Sequence, residues 1–214
     1  MDPTQLSAAN SSVRLRAALA VGTRADPGDV EALVARAGVE PDFFVRDMLT
    51  WALTRLPSDV TVPKLVVELR SAVPQARSQA LHTLSKIGDR SVWPEITRAL
   101  LHDADEEVAR SAWRAAVVLV PEGEREGLAV DLAAQLGRGD RAVRLSLSRA
   151  LVALGDVVED ALRTGLTSQD PAVRAHARAT RNLLRDPDAG FDLGVDEAKR
   201  VVALGPERAG ETAC

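Results

Sequence analysis

Three histidines, one cysteine and a few clustered carboxylates are the side chains of this 214-residue sequence best suited to proton, metal or nucleophile chemistry. The histidines, His82, His102 and His176, stand far apart and are followed by Thr83, Asp103 and Ala177. His102-Asp103 alone supplies too few ligands to hold a metal. The cysteine is Cys214, so neither a disulfide framework nor a thiolate zinc cluster can be assembled. Glu106-Glu107 and Glu122, Glu124 and Glu126 fall at turns and read as helix-start charges favoured by the helix dipole. There is no Gly-rich phosphate loop, no G-x-S-x-G and no Cys-His pair. The expectation is a protein with no catalytic constellation, no metal and no cofactor, hence not an enzyme.

The elements that would position any site must come from an Ala-, Val- and Leu-rich chain. Hydrophobic residues are 46% and charged residues 27%, enough for a packed soluble protein. Aromatics are only 3%, with no Tyr, which suits close helix stacking and not a platform for bases or a flat cofactor. A net charge of −4 argues against general nucleic-acid affinity. The charge is uneven, because 138–185 carry nine Arg against five acidic residues. Solvated helix faces are the simpler reading of that excess. The N-terminus lacks a basic region followed by an apolar core, and no apolar run approaches the roughly 20 residues of a membrane span. A cytoplasmic protein with no membrane contact is expected. Lysine is confined to Lys64, Lys86 and Lys199 while Arg is abundant, a codon bias of high-GC bacteria.

The organising phrase is Asp170-Pro171-Ala172-Val173-Arg174, which returns at Asp140-Arg141-Ala142-Val143-Arg144 and at Glu107-Val108-Ala109-Arg110. Weaker copies are Gln75-Ala76-Arg77, Asp42-Phe43-Phe44-Val45-Arg46 and Ser12-Val13-Arg14. Arg14, Arg46, Arg77, Arg110, Arg144 and Arg174 are spaced by 32, 31, 33, 34 and 30 residues. A fixed period with nothing catalytic at the repeated position signals repeat architecture.

Pro, Gly and Asp punctuate the helices. The spacing predicts a first helix over 11–21, ended by Gly22, and then pairs over 27–37 and 42–56. Further helices are predicted over 63–70, 74–87, 94–102, 106–120, 124–136, 140–154, 156–166 and 170–185. Pro63 and Pro94 are assigned to first turns, where a missing N–H costs nothing. No segment alternates between hairpin turns, so no sheet is expected. Residues 1–10 read as a flexible N-terminus, 187–204 as a linker with a short helix, and 205–214 as a disordered tail.

A Pro-opened first helix followed by an Asp-capped Val-Arg-x-x-Ala second helix resembles HEAT repeats. It is most similar to the bacterial HEAT-like repeats of the phycobilisome-lyase type. The likeness is clearest at 170–184 and 140–155, with Val92-Trp93-Pro94-Glu95-Ile96 matching a first-helix start. It covers about residues 11–186. It implies an all-α, right-handed α-solenoid, an armadillo-type superhelix of about five helical pairs plus terminal helices. Gln75 and Ala76 replace Asp and Val in the third copy and leave its cap in question. Iron-binding hydroxylases of this family use His-Glu pairs, which the three histidines here do not form.

With each marker arginine as position 0, positions −1, +3, +7 and +10 are apolar, as in Val45, Leu49, Leu53 and Leu56. They form the buried stripe, each side chain worth roughly 1.5–3 kcal/mol. Trp113 falls at +3 and is assigned to the core, and Trp93 to packing. The resemblance implies that second helices line a concave surface, so positions +1, +5 and +8 should face an inner groove. The groove residues expected are Asp47, Trp51, His82, Arg114, Val118, Leu145, Arg149, Val152 and Arg178. Arg46, Arg77, Arg110, Arg144 and Arg174 are assigned a structural role, bonding carbonyls or a neighbouring acid. A sparsely charged arc with Trp51, Val118, Leu145 and Val152 suits a protein or peptide partner, or a small organic ligand. The expected function is a scaffold or adaptor. The alternatives are a ligand-sensing module working with a DNA-binding regulator, a base-repair protein and a bilin lyase.

Overall fold

In the computed structural model residues 3–186 are described; the linker, short helix and tail expected over 187–214 lie outside them. All regular structure among the described residues is helical. The chain divides into two compact units at the start of the eighth helix, Met1–Arg125 and Glu126–Cys214.

The first unit contains α1 (Ser11–Arg24), α2 (Val30–Ala37), α3 (Phe43–Arg55), α4 (Ser58–Glu68), α5 (Pro74–Ile87), α6 (Arg98–Leu101) and α7 (Glu106–Leu119). Helices α1, α3, α5 and α7 pack in that order as one layer, with α2 and α4 packed behind α3 and α5. This is the layered α-solenoid arrangement of helix pairs that the period predicts. The buried stripe is where the columns place it: Val45, Leu49 and Leu53 are fully buried and Leu56 nearly so. Trp113 is fully buried, and its indole Nε1 donates to the Leu101 carbonyl at 2.9 Å. Trp93, at a helix start, donates to Glu124 at 2.8 Å.

Helix starts follow the Asp reading closely. Asp42 accepts from the Phe44 and Val45 amides, and Asp105 from those of Glu107 and Val108. Each bond satisfies a donor that the first turn leaves open. Three boundaries differ from expectation. α1 runs through Gly22 to Arg24, because Gly22 marks a close crossing and not a stop. A Cβ there would stand 2.5 Å from Trp51 Cζ3 and 2.8 Å from the Ala52 Cα. α4 begins at Ser58, behind Pro57, so Pro63 lies inside the helix. Around Pro94 the chain forms a 3-10 turn (Arg90–Glu95), and Thr97 caps the short α6. Within the stretch expected to be flexible, Pro3–Ser7 form a 3-10 turn whose Leu6 is buried.

The second unit contains α8 (Arg125–Ala133), which starts at the division, then α9 (Arg141–Ala153), α10 (Val158–Leu166) and α11 (Pro171–Arg185). Asp140 and Asp170 cap α9 and α11. α11 packs on both α9 and α10. Gly165 permits the approach of α10 to α11, since a Cβ there would lie 3.1 Å from the Ala177 Cβ and 2.8 Å from Leu136 Cδ1.

Four marker arginines bond carbonyls of the loop that precedes their helix, Arg77 through the Ser71 carbonyl, while Arg110 pairs with Glu107 within α7. Nη1 of Arg14 donates to the carbonyls of Ala8 and Ala9, Arg46 to Glu40 and Pro41, and Arg174 to Ser168 and Gln169. Two also reach an acid beyond the following helix, Arg14 to Glu40 and Arg77 to Asp103. Where Gln75 replaces the capping Asp, α5 starts without a side-chain cap, and the Gln75 amide bonds the Ala37 and Glu40 carbonyls instead.

Candidate functional site

Helices α3, α5 and α7 line a pocket of about 450 Å³ in the first unit, from their starts to just past their midpoints. α3 contributes Phe43, Arg46, Asp47 and Thr50; α5 contributes Gln75, Ser78, Gln79 and His82. Asp105, Glu107, Ser111 and Arg114 come from α7 and its cap. Asp42 positions the first set by fixing the start of α3, and Asp105 does the same for α7. α5 is set by Gln75 and by Arg77, whose guanidinium holds Asp103 at 3.0 and 3.1 Å while Asp103 accepts from the Asp105 amide.

Most of the charged groups in the pocket are engaged. Arg114 donates to Glu107 at 3.3 Å and to Ser111 Oγ at 3.0 Å, and Glu107 also takes Arg110 at 3.2 Å. Arg46 lies over the Phe43 ring, 6.0 Å from its centroid, while Nη1 is held by two carbonyls. Ser78, almost fully buried, donates to the Gln75 carbonyl at 3.1 Å. Thr50 is 4% exposed, and its hydroxyl is buried without a hydrogen-bond partner. Burial pushes the His82 imidazole below its ordinary value, Arg114 and Lys86 push it further down, and Asp47 and Glu107 oppose them.

Of the residues expected to line a groove, Asp47, His82 and Arg114 meet in this pocket. Trp51 does not line it: its ring edge covers Gly22, and it is 37% exposed. Val118, near the end of α7, is also exposed and lies outside the lining. Leu145, Arg149, Val152 and Arg178 belong to the second unit, where Leu145 and Val152 are half-buried and the two arginines exposed. Apart from Phe43, the residues that line the pocket are polar or charged. Besides +1 and +5, its lining draws on −5, −3, −2, 0, +2 and +4 of the marker frame and omits +8, represented by Thr54, Ser85 and Val118. At about 100° per residue, −3 and +4 lie roughly 20° and 40° from +8, so Phe43, Thr50 and Glu107 sit on one flank of the expected arc.

The second unit carries a buried polar cluster instead. His176 is fully buried; its Nδ1 accepts from the Gly137 amide at 2.9 Å. The proton is therefore on Nε2, which faces the Arg144 carbonyl at 2.9 Å and Ser148 Oγ at 3.0 Å. Ser148 and Thr180 share a 2.6 Å bond, and both are buried. Burial lowers the His176 pKa to about 4, against the opposing bond to Arg144. Among the described residues no three His, Cys, Asp or Glu side chains are placed to hold a metal ion. No described helix is long and apolar enough to cross a membrane.

No protein-family model matches the chain, and no curated protein matches it in sequence. Solved structures of similar helical fold include an engineered protein, 22% identical, covering 86% of this chain and 94% of its own, with a TM-score of 0.47. The complex of CpcE and CpcF of phycocyanin lyase from Nostoc sp. PCC7120 is 18% identical over 86% of this chain and 77% of that one, TM-score 0.47. Human deoxyhypusine hydroxylase in complex with glycerol is 18% identical over 87% of this chain and 82% of that one, TM-score 0.44. The expectation that the chain is not an enzyme is corrected by this finding. A lyase and a hydroxylase are among the similar structures. At such identity neither activity transfers to this chain.

Proposed function

We propose that the chain is a helical-repeat scaffold that binds an extended peptide segment of a partner protein in the pocket between α3, α5 and α7. The observation that carries this reading is the mixture of neutral hydrogen-bonding groups in the lining. Gln79 offers both a donor and an acceptor, and Ser78 and Ser111 offer hydroxyls. An extended backbone presents alternating N–H and C=O groups, which such a lining can pair. Phe43 at the rim is 65% exposed and supplies apolar contact for a side chain. A cavity of about 450 Å³ is suited to one or two residues of such a segment and not to a whole domain.

Display of a random peptide library against the full chain tests the reading. The expected result is a set of enriched peptides whose capture falls at least tenfold on Gln79→Ala, with the thermal melt of the variant unchanged. If no peptide is enriched, or if the enriched peptides bind the variant equally, the pocket is not the peptide site.

A further inference from the structure

Five charged side chains line the pocket, three carboxylates against two guanidiniums. Four are engaged. Arg46 is held by two carbonyls, Asp105 caps α7, and Glu107 and Arg114 are paired with each other. Asp47 is different: among the described residues its exposed carboxylate accepts no hydrogen bond and forms no ion pair. Three residues further along α3, and therefore on the same face, is the buried Thr50 hydroxyl with no partner. Ser78 uses its proton on the Gln75 carbonyl, so its oxygen can only accept from a ligand. The pocket thus combines an uncompensated anion with hydroxyl acceptors and an exposed aromatic at its rim.

We propose that this pocket is a subsite for a lysine side chain of the bound peptide. Asp47 is the counter-ion of its ammonium group, and the aliphatic stem lies against the exposed Phe43. An ammonium is a compact point charge on a flexible stem, which suits an exposed carboxylate beside an aromatic ring. The negative balance of the pocket agrees in sign with the chain as a whole, whose net charge is −4, and favours a basic partner. The Phe43 ring, already approached by Arg46 on one side, can accept a second cation or its stem at its exposed edge.

This inference rests on the peptide-binding reading, and the same selection separates the two. Peptides enriched on the full wild-type chain are sequenced, and the selection is repeated on Asp47→Asn and Asp47→Lys. Asp47 is exposed, so both variants should fold, which their melts will show. The expected result is lysine enriched at one peptide position by the wild-type chain. Asp47→Asn should lose that enrichment, and Asp47→Lys should replace it with Asp or Glu. A selected peptide with its lysine changed to norleucine should bind the wild-type chain at least tenfold more weakly by fluorescence anisotropy. If peptides are captured through Gln79 but show no lysine preference, or keep it on Asp47→Asn, the lysine subsite is wrong and peptide binding stands. Capture of no peptide ends both.

Discussion

Arg14 of α1 and Glu40, in the turn before α3, form a two-bonded ion pair with both bonds 2.7 Å long, and both side chains are buried. Glu40 also accepts from Arg36 at 2.7 Å and from the Asp42 amide at 2.9 Å, so its carboxylate joins three segments. Breaking such a pair leaves buried cations without a counter-charge, which costs about 3–5 kcal/mol. Glu40→Ala should therefore lower the melting temperature of the full chain by roughly ten degrees, at about 2–4 °C per kcal/mol for a chain of this size. Glu40→Asp, too short to keep all the bonds, should fall between. A melt of Glu40→Ala within two or three degrees of wild type would show that the pair adds nothing.

The same carboxylate sets an acid limit. Burial alone would raise the Glu40 pKa; the bonds from Arg14, the Asp42 amide and Arg36 outweigh it and hold the group at about 2. The unfolded chain, at the ordinary value of 4.5, binds the proton first as pH falls. Stability from this group is thus full above about pH 4.5 and is lost between there and about 2. His176 acts at a higher window. Burial lowers its folded value to about 4 from 6.5, so the unfolded state again binds more protons, now between those two values. Stability should fall as pH drops from 6.5 towards 4, and His176→Gln should flatten that part of the curve. Urea midpoints measured from pH 7.5 to 4 decide the matter; parallel curves for the two proteins would remove His176 as the cause.

The crossing of α1 and α3 gives a prediction opposite in sign to helix propensity. In an exposed helix, Gly→Ala stabilises by up to about 1 kcal/mol. At Gly22 the added methyl would meet Trp51 Cζ3 at 2.5 Å and the Ala52 backbone at 2.8 Å, and a backbone atom cannot swing aside. Overpacking of this kind costs about 1–3 kcal/mol, so Gly22→Ala should melt several degrees lower. Adding Trp51→Ala should recover only part of the loss, because the Ala52 contact remains. A Gly22→Ala chain more stable than wild type would place the crossing elsewhere.

The extent to which this was legible follows from the range of the interactions. Asp42, Asp105, Asp140 and Asp170 act within three residues of themselves, so helix starts could be read directly. Repeated apolar columns gave the buried stripe for the same reason. Gly22 reads locally as a stop because its actual partner, Trp51, is 29 residues away and no local pattern reveals it. Pro63 has the local look of a first-turn proline, but Pro57, six residues earlier, ends one helix and leaves Ser58 free to begin the next. Asp47, His82 and Arg114 follow from the repeat frame and share the pocket, but the presence there of Phe43, Thr50, Gln75 and Glu107 depends on how far apart α3, α5 and α7 stand. That spacing is set by packing between repeats and is not written in any one of them.

Binding in the pocket should itself respond to pH through His82. The groups that surround this imidazole are Asp47 and Arg46 on α3, Lys86 on α5, and Glu107 and Arg114 on α7. Burial is the first cause of its lowered pKa, with Arg114 and Lys86 next, so the ring is neutral at pH 7 and gains its proton below the ordinary 6.5. A protonated His82 would add a positive charge beside a bound ammonium and would compete with it for Asp47. Affinity for a lysine-bearing peptide should therefore fall as pH drops below 6.5 and the ring takes up its proton. The norleucine counterpart, having no charge to repel, should change much less. His82→Gln keeps a hydrogen-bonding side chain of similar reach without a titrating proton and should flatten the profile of the lysine peptide. Anisotropy titrations of both peptides at several pH values, with wild type and His82→Gln, measure this directly. Equal pH dependence for the two peptides would show that His82 does not sense the cation, and an unaltered profile in His82→Gln would assign the titration to another group.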